Sequence, residues 1–78
     1  MNLEILTPDH SLWKGEVDLV QLPGADGSFE ILNNHAPLIA VLKKGKIKII
    51  TSDKNKEFVE IKGGIIEVLN NIIIILAE

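Results

Sequence analysis

The sequence predicts an all-β domain, a small two-sheet β-sandwich or flattened barrel, and two observations carry that prediction. Apolar and charged residues alternate with period two in Leu3-Glu4-Ile5, Glu16-Val17-Asp18-Leu19, Lys46-Ile47-Lys48-Ile49 and Glu57-Phe58-Val59-Glu60-Ile61. That period puts apolar side chains on one face of a strand and charges on the other. Turn-forming residues, among them Thr7-Pro8-Asp9, Pro23-Gly24, Asp26-Gly27, Asn33-Asn34 and Asn70-Asn71, punctuate these runs. They recur at roughly 8–10 residues, the spacing of short strands joined by tight turns. No segment carries the pattern of a long amphipathic helix.

About eight to ten short strands are expected on this reading. They lie near 2–7, 15–22, 28–32, 37–42, 45–51, 56–62, 65–69 and 72–77. The first stops at Thr7-Pro8-Asp9 and the second at Pro23-Gly24. The third follows Asp26-Gly27, where glycine supplies a positive φ cheaply. Lys43-Lys44-Gly45 separates the fourth from the fifth, and Ser52-Asp53-Lys54-Asn55 separates the fifth from the sixth. Gly63-Gly64 allows a sharp bend or bulge before the seventh. Asn70-Asn71 then closes a hairpin as a type I′ turn, because paired Asn tolerates positive φ at both central positions. The last strand, Ile72-Ile73-Ile74-Ile75-Leu76, is apolar on both faces, so it should sit centrally in a sheet or under a partner.

Seventy-eight residues without a linker or low-complexity tract make one domain, 1–78. A domain this small buries only about 60% of its unfolded surface, so its core must be dense in branched aliphatics. With 46% apolar residues it is. The absence of Cys leaves no disulfide, zinc cluster or thiol nucleophile and fits a reducing compartment. Met1-Asn2-Leu3-Glu4-Ile5 lacks the features of a signal or transit peptide. The longest apolar run, Ile72 to Ala77, falls far short of the roughly 20 residues of a spanning helix, so membrane association is expected only through another protein. Net charge of −3 and few aromatics weigh against nucleic-acid binding.

Little here points to chemistry. His10 and His35 have no second His or Cys at ligand spacing, and His35 reads as a turn residue whose ring bonds the backbone near Pro37. Gly24-Ala25-Asp26-Gly27 lacks the Lys-Ser/Thr and the helix of a phosphate loop. Trp13 reads either as a cap on the open end of the core or as an exposed contact aromatic. Neither catalysis nor a cofactor is expected. Lys54 in its hairpin turn offers one rival reading, since lipoyl and biotinyl carriers present a modified Lys at such a turn. Asn55-Lys56, however, follows where those carriers have small or apolar residues, and their two-fold internal echo is absent.

Leu3 to Trp13, Val17 to Leu22, Pro23-Gly24-Ala25-Asp26-Gly27-Ser28-Phe29-Glu30-Ile31-Leu32, Asn34-His35-Ala36-Pro37-Leu38, Leu42-Lys43-Lys44-Gly45-Lys46-Ile47, the paired glycines with Ile65-Ile66-Glu67-Val68, and Asn71 to Glu78 follow one another in order along the whole chain. Taken together they resemble the N-terminal β domain of the epsilon subunits of F-type ATP synthases. The resemblance departs at Ser28, where many relatives are acidic, and at Glu30, where many have Gly. It implies a rotor component of the central stalk that binds the gamma subunit and the membrane rotor ring of c subunits, with no catalytic site of its own. By position, Asp26, Gly27, Ser28, Phe29, Glu30, Asn34 and His35 would face the ring, and Thr7, Pro8, His35 and Ala40 would face gamma. Phe29→Ala would then weaken ring association and leave the fold intact. The family's inhibitory helical hairpin would begin where this chain stops, at Glu78, so neither that inhibition nor nucleotide binding is expected. The implied location is the cytoplasmic face of the bacterial inner membrane, peripheral and through the complex.

Overall fold

The computed structural model describes residues 1–78 and contains six strands: β1 (Asn2–Leu6), β2 (Ser11–Gly24), β3 (Gly27–Leu32), β4 (Leu38–Thr51), β5 (Lys56–Leu69) and β6 (Ile72–Ala77). They form one sheet in the order β1-β6-β5-β4-β2-β3, and β1 also pairs with β2. That extra pairing closes a five-stranded barrel to which β3 is appended as an edge. All ladders are antiparallel except β1 with β6, whose parallel register runs from Asn2↔Ile72 to Leu6↔Leu76.

Six strands replace the expected eight to ten because two break signals turn out to be bends. The runs at 37–42 and 45–51 are one strand, β4, and those at 56–62 and 65–69 are one strand, β5. Their ladder keeps a single register from Leu38↔Val68 to Ile50↔Lys56, so no bulge interrupts it. What changes is the face that points inward. On β4 the inward positions are Leu38, Ala40 and Leu42 and then Ile47 and Ile49; on β5 they are Ile61 and Gly63 and then Ile66 and Val68. Both strands invert phase at the same place, where the sheet folds over to cover its own inner face.

Gly63 and Gly64 make that corner possible with φ of 151° and 155°, values that L side chains rarely adopt. Space is also short at Gly64, where an added Cβ would lie 2.3 Å from the Leu76 carbonyl oxygen on β6. β2 turns the corner by another device. Its register with β4 slips between Val17 and Leu19, leaving Asp18 as an extra residue, and its inward phase passes from Val17 to Val20. Leu19, read as sharing a face with Val17, is therefore turned away from it. A second break lies between Gln21 and Gly24. Pro23 there has no N–H to donate, and its ring packs on Gly45, leaving 2.8 Å for any added Cβ.

The turns follow their local chemistry. Asn70 and Asn71 both take positive φ, 52° and 63°, as the type I′ assignment requires. Gly27, at φ 131°, closes the Ala25-Asp26 hairpin between β2 and β3. The core is a single cluster of 16 apolar residues, among them Leu3, Ile5, Val20, Ile31, Ile47, Ile49, Ile66, Ile73 and Ile75, all fully buried. No polar side chain is buried with them. Trp13 is the cap of the two readings offered for it: its ring lies over Gly15 and packs on the core, and its Nε1–H donates to Glu57 Oε1 at 3.0 Å.

Two substitutions separate the corner from the packing. Ile75→Ala in the core should cost about 2–5 kcal/mol. Gly64→Ala should cost at least the roughly 1–3 kcal/mol of a strained backbone, although it removes no buried atom. Urea melts of both variants check this; a Gly64→Ala protein as stable as the parent would show that the corner is not glycine-dependent.

Candidate functional site

The residues marked by sequence occupy three neighbourhoods. Asp26 and Gly27 form the tip of the β2–β3 hairpin, and Ser28, Phe29 and Glu30 continue from it along the edge strand. Asn34 and His35 lie in the loop 33–37 that leads to β4. Thr7 and Pro8 start the turn between β1 and β2, and Ala40 is on β4. The structure brings Asp26, Gly27, Phe29 and Ala40 together around one groove and leaves Thr7 and Pro8 in a turn of their own.

Alternation decides what each residue presents. On β3, Ser28 and Glu30 face solvent, whereas Phe29 and Ile31 point inward. The Phe29 ring packs against the core and sits so close to Gly24 that an added Cβ there would lie 2.8 Å from it. Phe29 is therefore part of the packing as well as of the groove, and its truncation would disturb the fold rather than leave it intact. Ala40 is likewise on the inward phase and half-buried, while its neighbours Ile39 and Val41 are 71% and 61% exposed.

The loops are fixed by hydrogen bonds. The Thr7 N–H and Oγ1–H donate to the His10 carbonyl at 2.9 and 3.1 Å, and the His10 N–H donates back to Thr7 Oγ1 at 3.2 Å. His35 Nδ1 lies 2.7 Å from the Ala36 carbonyl, which fixes the proton on Nδ1 and matches the turn role read from sequence. Asn34, at φ 64°, donates its N–H to Asn71 Oδ1 at 2.7 Å, tying this loop to the β5–β6 turn. His10 and His35 share no metal-like cluster, and no group of three or more His, Cys, Asp or Glu is gathered anywhere.

Lys54 stands in the turn between β4 and β5 at φ 69°, and its ammonium donates to the Asp18 carboxylate at the β2 bulge. The anchored amine ties that turn to β2 instead of extending from it as a carrier arm. The bond from Lys54 holds the Asp18 carboxyl below the usual aspartate range, with partial desolvation opposing it.

The groove beside the β2–β3 turn has a volume of about 450 Å³ and is lined by Gly24, Ala25, Asp26, Gly27, Phe29, Leu38, Ile39, Ala40, Val41 and Ile65. It opens onto an outward apolar face that runs across β4, β5 and β6. Register places Val41, Ile65 and Leu76 in one row and Ile39, Glu67 and Ile74 in the next. Ile65 and Leu76 are 48% and 56% exposed. Sequence assigned no role to Ile39, Val41 or Ile65, although Leu38 to Leu42 is apolar on both phases just as Ile72 to Leu76 is. β6 does sit centrally, between β1 and β5, but only its inner face is covered.

The family model described as ATP synthase, Delta/Epsilon chain, beta-sandwich domain matches residues 1–78. The chain belongs to this family. The ATP synthase epsilon chain of Chlorobium limicola is 46% identical over 76 residues, covering 97% of this chain and 86% of that one. That of Caulobacter vibrioides is 40% identical, covering all of this chain and 90% of its own length. That of Leptospira borgpetersenii is 42% identical over the whole chain, which spans only 61% of the relative. The fold matches a chain of the Euglena gracilis mitochondrial ATP synthase at a TM-score of 0.89 and 21% identity, over 96% of this chain and 48% of that one. It matches one in the central stalk and c-ring structure of the Tetrahymena thermophila enzyme at 0.82 and 20%, over 99% and 62%. The delta/epsilon β-sandwich is here the closed barrel with one appended strand, and no helix in it is long and apolar enough to cross a membrane.

The Asp18–Lys54 pair gives a pH test with a definite sign. A carboxyl depressed in the folded state stabilises the fold above its ordinary pKa, and that contribution is lost as pH falls through the folded value. The deficit of Asp18→Asn relative to the parent should be constant above about pH 5 and vanish progressively below about pH 4. Because the pair is exposed, the deficit should be small. Thermal melts across pH 2–7 measure it; a deficit that grows on acidification would contradict the pairing.

Proposed function

We propose that this chain is a non-catalytic subunit of the central stalk of an F-type ATP synthase, binding the gamma subunit and the c-subunit rotor ring and turning with both. The observation that carries the reading is the family match over the whole domain, with relatives named ATP synthase epsilon chain. Its mechanism is mechanical. A close-packed barrel with 16 apolar residues in one core deforms little under load, so rotation driven at one contact reaches the other without slip. No step of bond chemistry is assigned to it.

Ring contact falls to the β2–β3 end: Asp26 and Gly27 at the tip, Ser28 and Glu30 outward on β3, Phe29 beneath them, and Asn34 and His35 in the following loop. Gamma contact falls to Thr7, Pro8, His35 and the β4 segment around Ala40. Since Ala40 turns inward, Ile39 and Val41 present that segment to a partner. The polar tip suits charged ring loops at a wet rim, where each contact contributes little alone. The complex would hold the chain at the cytoplasmic face of the bacterial inner membrane.

A chain tagged at its carboxyl end and purified from its own detergent-solubilised membranes should bring down gamma, the catalytic head and the ring. Recovery of none of them overturns the reading. Glu30→Lys should lower ring recovery about fivefold, the scale of one rim contact of ~1 kcal/mol, while gamma recovery and the melting temperature stay unchanged. Equal ring recovery would move the ring contact away from β3.

A further inference from the structure

We infer that the first half of β4 is an acceptor edge, at which an extended segment of a partner protein adds as one more strand. Residues 38–43 pair with β5 on one side only, and their sole partner on the other side is Gly24 opposite Leu42. The Val41 carbonyl accepts the Ala25 N–H at 2.9 Å, which shows that residues of this parity direct their main-chain groups away from β5. Ile39 has the same parity and no strand opposite it, so its N–H and C=O face the groove.

Unpaired strand edges recruit strands unless something blunts them. The other open edge, β3, is short and carries Glu30 and Ser28 on its outer phase. At Ile39 itself the edge is bare: Pro37 and Lys43 flank it, but the Ile39 side chain is 71% exposed, and a 450 Å³ groove with mostly apolar walls lies alongside. An added strand would bond Ile39 through its main chain and set every second side chain into that groove, the arrangement of strand addition. Charge narrows the occupant further. Asp26 is the one ionisable residue lining the groove, and Glu67 lies opposite Ile39 on β5. A segment of alternating apolar residues with Lys or Arg beside Asp26 and Glu67 complements both, and Lys43 and Lys44 at the other end of 38–43 are matched by an acid there. Resting on the proposed function, the inference assigns that segment to the gamma subunit.

The test is amide hydrogen exchange of residues 37–42, in the chain alone and in complex with the purified gamma subunit of the same organism. In the free chain the Ile39 amide should exchange fast and that of Ala40 slowly. Gamma should slow Ile39 at least tenfold. Among main-chain groups Ile39→Pro removes only the outward N–H, so its melting temperature should hold while its affinity for gamma drops at least tenfold below that of Ile39→Ala, which loses the side chain and keeps the N–H. Gamma that binds fully and leaves Ile39 as fast as before would overturn strand addition and spare the stalk reading. No binding of gamma to the parent chain would overturn both. If Ile39→Pro fails to fold, exchange in the parent decides alone.

Discussion

The domain depends on a hairpin that changes faces halfway along. β4 and β5 stay in one register for their whole length, yet each turns its inward phase over at residues 43–45 and 61–64. Without that inversion a long two-stranded ribbon would have one wet face and one dry face and nothing to close against. With it, one hairpin supplies two walls of the barrel, and β1, β2 and β6 complete the ring. Gly63 and Gly64 carry the burden because the corner needs positive φ and because the Leu76 carbonyl leaves no room for a Cβ at Gly64. The core supplies no polar side chain to fix alignment. Register is therefore set by the corner, by the Asn70-Asn71 turn and by the alternation of aliphatics.

Much of this was legible in the sequence, and the misses share a cause. Asn70-Asn71 and Asp26-Gly27 announced their turns because positive φ has few local solutions, and both closed the hairpins expected of them. Lys43-Lys44-Gly45 and Gly63-Gly64 announced a break with equal clarity, but glycine serves a chain reversal and a phase inversion alike. Only pairing with a distant strand tells them apart. The extra residue at Asp18 was hidden for a related reason, since Glu16-Val17-Asp18-Leu19 alternates perfectly and a bulge is defined by the strand across from it. The site was legible in part. Alternation alone turns Phe29 inward between Ser28 and Glu30, and Ala40 inward between Ile39 and Val41. The apolar outer face was announced by Ile72 to Leu76, but its continuation through Ile65 to Val41 required the register.

The two sides of the barrel wall differ in purpose. Inside, the side chains of sixteen apolar residues pack with no polar side chain buried among them, which favours stiffness. Outside, an apolar stripe from β4 to β6 and a polar hairpin tip lie next to one another, joined by the groove beside Phe29. A body that grips two neighbours at once, as proposed for this chain, is served by surfaces of unlike chemistry, because each then rejects the other's partner.

The parallel pairing of β1 with β6 has a consequence for how the domain is made. Asn2 finds its neighbour in Ile72, so the first strand of the barrel is held by its last. The β4–β5 hairpin joins residues close in the chain and can form early, but the ring cannot shut until Ala77 has left the ribosome. Such long-range closure is slow relative to local pairing. Until it occurs, the sides of β1 and β5 that β6 will fill remain open in the nascent chain, and this is the period in which the domain most needs protection from aggregation.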